Sequence, residues 1–456
     1  MHFKTIVMSA FKAYDIRGIY NVDFNKEDVY KIGFHLAQMM QTETILVGRD
    51  ARLSSDEIFD ALTQGIRDAG VNVDDAGLCT TPYVYWTTAL KKYGCSVMIT
   101  ASHNPKEYNG LKISRENALP VGYDSGLQVV EERMKLPITP VSKRGALRQI
   151  DEKDNYINFL LQYKNNFDAL KISIDCSNGM ASLFVKQLFG EQPTYIYDTI
   201  DCTFPNHEPN PLSYESTEDI RSLVKKNGSD IGIIFDGDAD RVMFIDEEGN
   251  FVAPDLIIAL LAHYWLEERK MKGVVIQDIR TSKSVEEYIR QFGSTVTTWR
   301  VGRAYAAPKL RDIDGIYGGE LAGHYYAREF FYSDSALMTA LIVLHIVQRF
   351  KKENITLSQL IKRISRYENS GEINFQLERK NDAINAVVAH FSHQEKPLKQ
   401  MDFDGYRLEF KDWWFNIRPS NTEPYLRFIA EATSKSLLQQ KIAETEQIIN
   451  TITNYD

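Results

Sequence analysis

Three stretches of the chain repeat one pattern: an apolar run, a polar turn, an amphipathic helix and a second apolar run. The copies begin at Glu43, Leu170 and Gly273. Strands that alternate with helices at this spacing favour βαβ units in parallel or mixed sheets. Repetition of such a unit indicates related domains. We therefore predict three similar mixed-sheet α/β domains, at residues 1–149, 150–250 and 251–366.

The pattern changes after Arg366. A linker, a strand and a helix come first, and a strand-rich segment and a last helix from about Ser434 follow. This order predicts a smaller α+β domain at residues 367–456. The expected fold class is α/β, with three similar domains and the smaller C-terminal domain arranged around a central cleft.

The composition of the 456-residue chain narrows the classes of protein. A net charge of -9 without a block of Lys or Arg argues against a nucleic-acid-binding protein. No apolar run reaches the ~18 residues of a membrane helix, and the apolar patch near the N-terminus is too short for a secretory signal. Cys79, Cys95, Cys176 and Cys202 lie far apart without a CxxC spacing. This usage predicts reduced thiols in a cytoplasmic protein.

Each of the three copies is followed by a strand that ends in a loop of unusual composition. The loops are ITASHNP around Ser102, IIFDGDADR around Asp238 and IYGGELAGH around Glu320. In open α/β sheets, ligand-binding groups lie beyond the carboxyl ends of the strands. We expect the three loops to meet in one cleft between the domains.

Three aspartates alternate in the second loop. In an extended segment, the carboxylates of Asp236, Asp238 and Asp240 would point to one side. Like charges this close repel unless a cation lies among them, and all-oxygen ligands favour Mg²⁺ or Ca²⁺ over zinc. An EF-hand, with Glu247 at its twelfth position, fits less well because Arg241 stands where that loop needs glycine. A polar hairpin tip on the surface is the other alternative.

Ser102 lacks the partners of an ordinary serine nucleophile, since the chain has neither a GxSxG motif nor an obvious triad. Its neighbours His103, Asn104 and Lys112 are potential donors to a charged group. The phosphate of a phosphorylated Ser102 would accept hydrogen bonds from these donors. It would also supply an oxygen ligand to Mg²⁺, since three carboxylates alone do not complete the octahedral coordination shell. The structural alternative is a turn capped by Asn104-Pro105.

The segment RPSNTEP has the composition of a phosphate-binding loop. Arg418 offers a planar fork, and short donors follow it at Ser420, Asn421 and Thr422. This set suits a phosphate that does not react. A turn with two prolines has the same composition and is the alternative.

The segment GGELAGH carries a carboxylate and an imidazole on a Gly-rich turn. Glu320 could accept hydrogen bonds from sugar hydroxyls, and His324 follows it four residues later. A histidine satisfied within the core is the alternative for His324.

Taken together, the four loops in this order resemble those of the α-D-phosphohexomutases, and the match spans essentially the whole chain. TASHNP is similar to the phosphoserine loop of that family, DGDADR to its metal loop, GGELAGH to its sugar loop and RPSNTEP to its phosphate loop. FKAYDIRG, with Tyr14 and Arg17, is a further family feature near the N-terminus. The segments DWWFNIRPSNTEPYLR and GGEL resemble the corresponding segments of one branch of the family, the phosphomannomutases and phosphoglucomutases.

The resemblance implies a Mg²⁺-dependent mutase that acts on a small sugar phosphate. Phospho-Ser102 would give its phosphoryl group to a hexose phosphate, and the hexose 1,6-bisphosphate that forms would turn end for end and return the other phosphate. Such a bisphosphate would also serve as activator. The implied metal ligands are Asp236, Asp238, Asp240 and, through its phosphate, Ser102. The implied catalytic residues are Ser102, His103, Lys112, Arg241 and Arg17. The implied substrate-binding residues are Tyr14, Arg280, Gly302, Arg303, Glu320, Ala322, His324, Arg418, Ser420, Asn421 and Thr422.

Two positions depart from the family pattern. Ala322 stands in the sugar loop where the family usually has Ser, so one hydroxyl contact is lost. Arg303, in WRVGRAYAAPKL, occupies a position where many relatives have His, a candidate for proton transfer. Because Arg keeps its proton at working pH, it cannot act as a base. We therefore expect another group in that role or a shifted specificity.

The leading functional prediction is a phosphomannomutase that interconverts mannose 6-phosphate and mannose 1-phosphate. A phosphoglucomutase, or an enzyme with both activities, is the close alternative because the two sugars differ at one hydroxyl. A phosphatase with a transient phosphoserine and a non-catalytic sugar-phosphate binder are alternatives from other classes. A phosphatase would need water in the cleft, and a fourth domain that closes over the cleft argues against that. A sugar-phosphate binder would not need an intact Ser102 together with three aspartates. We expect no nucleic-acid or membrane partner, and a monomer or a homodimer.

Overall fold

The first domain contains a six-stranded sheet with helices packed against it. The structure is a computed structural model, and it describes residues 10–420 and 425–453. The elements of this domain are β1 (Ile16–Ile19), α1 (Lys26–Met40), β2 (Thr44–Arg49), α2 (Ser55–Asp68), β3 (Asn72–Leu78), α3 (Thr81–Leu90), β4 (Cys95–Ile99), β5 (Tyr108–Arg115), α4 (Leu127–Arg133) and β6 (Leu147–Gln149). The strand order is β1-β5-β4-β2-β3-β6. The strands β2, β3, β4 and β6 are parallel, and β5 and β1 add an antiparallel edge.

The second and third domains each contain a five-stranded mixed sheet. The elements of the second are α5 (Lys153–Leu161), β7 (Ile172–Asp175), α6 (Val185–Phe189), β8 (Thr194–Ile196), α7 (Tyr214–Asn227), β9 (Ile231–Phe235), β10 (Val242–Asp246) and β11 (Phe251–Val252). The elements of the third are α8 (Pro254–Leu260), β12 (Val274–Asp278), α9 (Lys283–Arg290), β13 (Thr295–Trp299), α10 (Arg303–Asp312), β14 (Tyr317–Gly319), β15 (Tyr325–Ala327), β16 (Ser333–Asp334), α11 (Ala336–Lys351) and α12 (Leu357–Ile364).

The three α/β domains share one strand order. It reads β3-β2-β4-β5 in the first, β8-β7-β9-β10 in the second and β13-β12-β14-β15 in the third. In each domain, three neighbouring strands of this order are parallel, and the fourth is antiparallel to them. A short connection joins the third strand to the fourth. The prediction of three similar mixed-sheet domains is therefore confirmed. The three loops that end β4, β9 and β14 occupy the same place in each copy.

The fourth domain is a smaller α+β unit, as the change of pattern after residue 366 predicts. Its elements are β17 (Glu368–Asn369), β18 (Ile373–Gln376), α13 (Lys380–Gln394), β19 (Lys399–Met401), β20 (Tyr406–Glu409), β21 (Trp413–Pro419), β22 (Tyr425–Ala432) and α14 (Lys435–Thr453). The antiparallel sheet has the order β17-β22-β21-β20-β19, and β18 also pairs with β22.

Local sequence explains how the first domain closes. Asn25 caps α1 in a capping box with Asp28, which satisfies N–H groups that the first turn leaves open. Helices α1 and α2 approach closely at two glycines. A Cβ at Gly65 would lie 2.1 Å from the carbonyl oxygen of Tyr30, and one at Gly33 would lie 2.3 Å from that of Leu62. Only glycine allows the backbones to come this near, so these two positions fix how α1 and α2 pack.

The largest apolar core runs through all three α/β domains. It includes side chains of α3, β9 and α11, while separate clusters fill the rest of the first domain and the fourth domain. A shared core of this kind holds the loops after β4, β9 and β14 in fixed relative positions. In the part of the chain that the structure describes, no helix is long and apolar enough to cross a bilayer.

Candidate active site

The loop that carries Ser102 follows β4 and turns back into β5. Ser102 is 1% exposed, and its φ of 53° lies in the left-handed region that non-glycine residues rarely adopt. Its Oγ donates a hydrogen bond to Oδ2 of Asp236 in the second domain, at 2.8 Å, and lies 3.3 Å from Nδ1 of His103. The unusual backbone conformation therefore aims the hydroxyl across the domain junction at the aspartate loop, as strain at functional sites often does.

The aspartate loop, residues 236–241, joins β9 to β10. It forms a tight turn, with Ala239 at a left-handed φ of 58°, instead of the extended segment expected from the alternation of aspartates. Single carboxylate oxygens of Asp236, Asp238 and Asp240 nevertheless lie within 4.8 Å of one another, and all three residues are buried. The turn thus brings together the three carboxylates that the sequence predicts as a group.

The protein neutralises the charge of these aspartates only in part. Nζ of Lys112 donates to Asp238 and to Asp240, at 2.6 Å each, and the Thr81 hydroxyl donates to the same Asp238 oxygen. Burial, together with Asp240 and Asp238, raises the pKa of Asp236 well above its ordinary value. Burial also acts to raise the pKa of Asp240, but the charge of Lys112 helps to bring it below its ordinary value. A further positive charge would stabilise the ionised form of Asp236.

Two carboxylate oxygens of the aspartate loop fit a cation. Among the residues that the structure describes, Oδ1 of Asp238 and Oδ1 of Asp240 are buried atoms with no hydrogen-bond partner. A buried and unsatisfied carboxylate oxygen is costly, and hard divalent cations such as Mg²⁺ take oxygen ligands of this kind. The donor set therefore fits the Mg²⁺ expected from the sequence, with Oγ of Ser102 at the edge of the same cluster.

Arg17 and His103 lie beside Ser102 on the side of the first domain. Arg17, in β1, donates to the side-chain oxygen of Asn104 at 2.8 Å. Burial, followed by the positive charges of Arg241 and Arg17, lowers the pKa of His103 well below its ordinary value. The imidazole is therefore neutral. Arg17 thus contacts the loop that carries Ser102, and His103 is part of that loop.

A chain of hydrogen bonds connects the aspartate loop with the third domain. Nε–H of Arg241 donates to Nε2 of His324 at 3.0 Å, and Nδ1 of His324 lies 2.7 Å from Oδ2 of Asp334. Nε2 of His324 accepts a hydrogen bond from Arg241, so the proton of the imidazole lies on Nδ1. This Nδ1–H donates a hydrogen bond to Asp334. His324 also lies 3.8 Å from Asp240. It is therefore a fully bonded part of the site rather than an isolated core histidine.

Arg303 extends this chain to the first domain. Its Nε donates to Oδ1 of Asp334 at 3.1 Å, and one terminal nitrogen donates to the backbone oxygen of Ala118 at 2.8 Å. The guanidinium stacks on the ring of Tyr85, 3.5 Å from its centroid. The Arg303 side chain is thus engaged with protein groups of two domains. The predicted contact of Arg303 with substrate stays a prediction.

The carboxylate of Glu320 is held from two sides at the end of β14. Its Oε2 accepts from the N–H of Gly302 at 3.0 Å, and its Oε1 accepts from the hydroxyl of Tyr326 at 2.5 Å. Burial raises the pKa of Glu320. Gly302 has a φ of 107°, and a Cβ there would lie 2.9 Å from the ring of Tyr14. Ala322 lies half-buried in the turn that follows Glu320.

Arg280 and Arg418 bring two guanidinium groups together where the third domain meets the fourth. Arg280 is buried and pairs with Asp278 at 2.8 Å, and Arg418 pairs with Asp404 at 3.1 Å. Burial and the charge of Arg280 lower the pKa of Arg418. Nε of Arg418 is buried and has no hydrogen-bond partner within residues 10–420 and 425–453. Two close cations with a donor to spare suit an anion such as phosphate.

The other residues of RPSNTEP follow Arg418 at the end of β21. Ser420 is half-buried, and its N–H donates to the backbone oxygen of Tyr425 at 2.8 Å. Asn421 and Thr422 lie outside the described residues. Their part in phosphate binding stays a prediction.

Family models match the four domains in chain order. Their descriptions are Phosphoglucomutase/phosphomannomutase, alpha/beta/alpha domain I at residues 8–136, domain II at 154–249, domain III at 253–367 and C-terminal domain at 372–447. The chain belongs to the phosphoglucomutase/phosphomannomutase family. The predicted domain boundaries, at 149/150, 250/251 and 366/367, stay predictions.

Relatives within this family cover nearly the whole chain. A protein named Phosphomannomutase from Escherichia coli (strain K12) is 37% identical over 439 residues, which are 93% of this chain and 95% of that protein. A protein of the same name from Methanocaldococcus jannaschii is 34% identical over 451 residues, 97% of this chain and 98% of that protein. A solved structure of a phosphoglucomutase/phosphomannomutase family protein from Burkholderia thailandensis has a TM-score of 0.88 at 26% identity and covers 97% of both chains.

Several residues that contact the candidate site carry no functional signal in the sequence. They are Thr81, Tyr85, Tyr326 and Asp334. Thr81 is the first residue of α3, and Asp334 stands two residues before α11. Thr and Asp are common near the start of helices because they cap them, so neither position indicates a function. The two tyrosines look like ordinary core residues. Only the folded arrangement brings them to Asp238, Arg303 and Glu320.

Proposed function

We propose that this protein is a phosphomannomutase that interconverts mannose 6-phosphate and mannose 1-phosphate through a phosphorylated Ser102. The observation that carries the proposal is the hydrogen bond from the Ser102 hydroxyl to Asp236, in a junction where three carboxylates lie together and Lys112 donates to two of them. The near-full-length similarity to proteins named Phosphomannomutase supports mannose as the sugar.

Ser102 is the phosphate carrier in this proposal. The phosphoryl group leaves Oγ of phospho-Ser102 for the 6-hydroxyl of mannose 1-phosphate, the hydroxyl loses its proton, and Ser102 regains one. The mannose 1,6-bisphosphate then turns end for end. The second transfer moves the 1-phosphoryl group to Oγ and releases mannose 6-phosphate. No phosphate is consumed, and a hexose 1,6-bisphosphate restores the carrier in enzyme that has lost it.

The positive groups around Ser102 stabilise charge on the group in transfer, since phosphoryl transfer depends chiefly on positioning and charge neutralisation. Lys112, which donates to the aspartate loop, and Arg241, whose side chain donates to His324, supply that charge. Arg17 holds Asn104, and neutral His103 offers a hydrogen bond beside Oγ. Mg²⁺ held by Asp236, Asp238 and Asp240 would polarise the phosphoserine and neutralise part of its charge.

The remaining loops hold the part of the sugar that does not react. Glu320, oriented by Gly302 and Tyr326, accepts hydrogen bonds from ring hydroxyls in either orientation of the sugar. Arg280 and Arg418 bind the distal phosphate by bidentate contacts. Because protein groups bind the phosphate at each end, the bisphosphate stays in the cleft while it turns. The reaction is therefore a transfer to Ser102 rather than a hydrolysis.

Glucose phosphates are the alternative substrates. The family models name phosphoglucomutase beside phosphomannomutase, and relatives named Phosphohexose mutases in Xanthomonas campestris are 34% identical over 452 residues. Mannose and glucose differ at one hydroxyl. A phosphoglucomutase, or an enzyme that accepts both sugars, therefore follows from the same site if Glu320 accepts either hydroxyl configuration.

The test compares two substrates on the purified protein with Mg²⁺ and a catalytic amount of hexose 1,6-bisphosphate. The proposal predicts conversion of mannose 1-phosphate to the 6-phosphate with a higher kcat/KM than for glucose 1-phosphate. The opposite preference would assign the phosphoglucomutase alternative. Release of inorganic phosphate without isomer formation would instead identify a phosphatase and end the proposal.

Two further properties accompany the proposal. A cytoplasmic location is supported by Cys79, Cys95, Cys176 and Cys202, which are free and buried. A monomer or a homodimer is expected, and sedimentation velocity distinguishes the two.

A further inference from the structure

The loop that carries Ser102 is built around the side chain of Arg52, which lies between β2 and α2 and is 0% exposed. One terminal nitrogen of Arg52 donates to the backbone oxygens of Pro105 at 2.7 Å and Tyr108 at 3.0 Å. The other donates to the backbone oxygens of Asn104 at 2.7 Å and Ser102 at 2.9 Å. Four carbonyl groups of one short loop therefore converge on one guanidinium.

The remaining donor of Arg52 fixes the guanidinium itself. Nε donates to Asp50 at 3.2 Å, and the Ser55 hydroxyl donates to the same carboxyl group at 2.6 Å. All five N–H donors of the side chain are thus in use. Lysine has three donors and no rigid plane, so it cannot reproduce this set. A charge buried this deeply persists only when it is paired and fully hydrogen-bonded.

The second domain closes the Ser102 loop against Arg52. The ring of Phe204 lies over the guanidinium, 5.1 Å from centroid to Cζ. A Cβ at Gly237 would lie 2.5 Å from the backbone oxygen of Ser102. The Ser102 carbonyl is therefore confined between Arg52 and the aspartate loop. A residue in the left-handed region, as Ser102 is, keeps that conformation only where its surroundings impose it.

We propose that Arg52 is a positioning residue for phosphoryl transfer: it sets the backbone of residues 102–108 so that Oγ of Ser102 faces the aspartate loop. The inference rests on the proposed function of Ser102 as carrier. Among the contacts within residues 10–420 and 425–453, none joins Arg52 to a group assigned to the sugar or to its distal phosphate. Its loss should therefore lower kcat and leave KM nearly unchanged, because only the transition state depends on the alignment of Oγ.

The experiment compares Arg52→Lys with Arg67→Lys in the full-length protein. Arg67 lies in α2 of the same domain and donates to the backbone oxygen of Gly145 at 2.9 Å, away from the Ser102 loop. Arg52→Lys is expected to lower kcat roughly 100-fold, the scale of an ångström-size misplacement, with KM within about threefold. Arg67→Lys should keep both constants. Hydrogen exchange of the peptide with residues 100–108 should become faster in Arg52→Lys alone.

A rescue experiment separates positioning from general stability. Guanidinium chloride at millimolar concentration should restore part of kcat to Arg52→Ala, while ammonium chloride at equal ionic strength should not. If Arg52→Lys does not fold, Asp50→Asn takes its place. This variant removes the carboxylate oxygen that accepts from Nε of Arg52, and it should lower kcat by a smaller factor with KM nearly unchanged.

The inference is overturned if Arg52→Lys keeps wild-type kcat, if its effect falls on KM alone, or if loop exchange matches that of Arg67→Lys. A wild-type protein without mutase activity would instead overturn the proposed function. The exchange comparison would then still test the part of Arg52 in the loop.

Discussion

Oγ of Ser102 lies 2.8 Å from Oδ2 of Asp236, although the two residues belong to different domains and stand 134 positions apart in the sequence. The contact joins the proposed phosphate carrier to the candidate metal ligands. Because the shared apolar core holds the two domains together, this distance is a property of the fold rather than of one flexible loop. Changes on either side of the junction should impair the same chemical step.

The first prediction concerns the cation. Asp238→Asn should fold, because the residue lies in a loop, and should lower kcat about 100-fold or more, since a bound metal ion supplies several kcal/mol of charge stabilisation. Calorimetry should find weaker Mg²⁺ binding. Asp246→Asn, at the far end of β10, is the control and should bind Mg²⁺ as the wild type does. Full activity of Asp238→Asn, or of the wild type after EDTA treatment, would remove the metal assignment.

The second prediction concerns the close approach of two loops. Gly237→Ala places a Cβ 2.5 Å from the Ser102 backbone oxygen, so the Ser102 loop must shift. We expect kcat to fall roughly 10- to 100-fold, because misplacement of a reacting group by a fraction of an ångström to an ångström has effects of this size. Gly94→Ala meets only the Thr42 side chain, at 2.8 Å, and should keep wild-type kcat. Equal activity of the two variants would show that the contact does not constrain the carrier.

The third prediction concerns Arg303. Arg303→Lys loses the planar fork on Asp334 and the stacking on Tyr85, so His324 should be less well fixed. We expect a moderate loss of kcat/KM, with KM raised severalfold and some activity retained.

Arg311 provides a matched control for Arg303. It also bonds a backbone oxygen of the first domain, that of Asn117, and it stacks on Tyr332, but it has no contact with Asp334 among those described. Arg311→Lys should leave both kinetic constants unchanged. If Arg303→Lys also leaves them unchanged, the chain from Arg303 to His324 has no part in the reaction.

The fourth prediction concerns pH and stability. The buried carboxyl group of Asp255, at the start of α8, accepts from the N–H of Ser282 at 2.9 Å. Burial, and then the charge of Glu431, raise its pKa from an ordinary 3.8 to about 7. The folded state therefore holds an extra proton between these values. The stability that this proton gives is full below pH 3.8 and is lost as pH rises through about 7.

Asp255→Asn removes this titration. The thermal unfolding midpoint of the variant should fall less steeply than that of the wild type as pH rises from 3.8 to about 7. Asp154→Asn, on the exposed face of α5, should keep the wild-type slope. Parallel curves for Asp255→Asn and the wild type would contradict the raised pKa.

The fold followed from the sequence because its signals are local. Apolar strands, amphipathic helices and polar turns recur within each module, so the three related sheets were predictable without knowledge of the contacts between them. The aspartates Asp236, Asp238 and Asp240 stand within five residues and were predictable as a group. Their arrangement was not, because Ala239 adopts a left-handed conformation that turns an expected extended segment into a tight turn.

The supporting residues could not be predicted because their partners are distant in the chain. The side chain of Arg52 donates to a carbonyl oxygen 53 positions away, and Asp334 accepts from Arg303, 31 positions away. A buried Arg after a strand and an Asp before a helix have ordinary structural explanations until the fold is known. For Arg303, the hydrogen bond to the backbone oxygen of Ala118 in the first domain was not predictable from the family pattern. Long-range packing, rather than local composition, decides these roles.

The central claim is that Ser102 carries the phosphate, and peptide mass spectrometry of the purified protein tests it most directly. We expect phosphate on the peptide that contains Ser102 in at least part of the molecules, and its loss when the protein meets excess mannose 1-phosphate without added bisphosphate. Ser102→Ala should carry no phosphate there, should still bind hexose phosphate and should lose nearly all mutase activity. Phosphate on another residue, or a Ser102→Ala variant that turns over at the wild-type rate, would contradict the account.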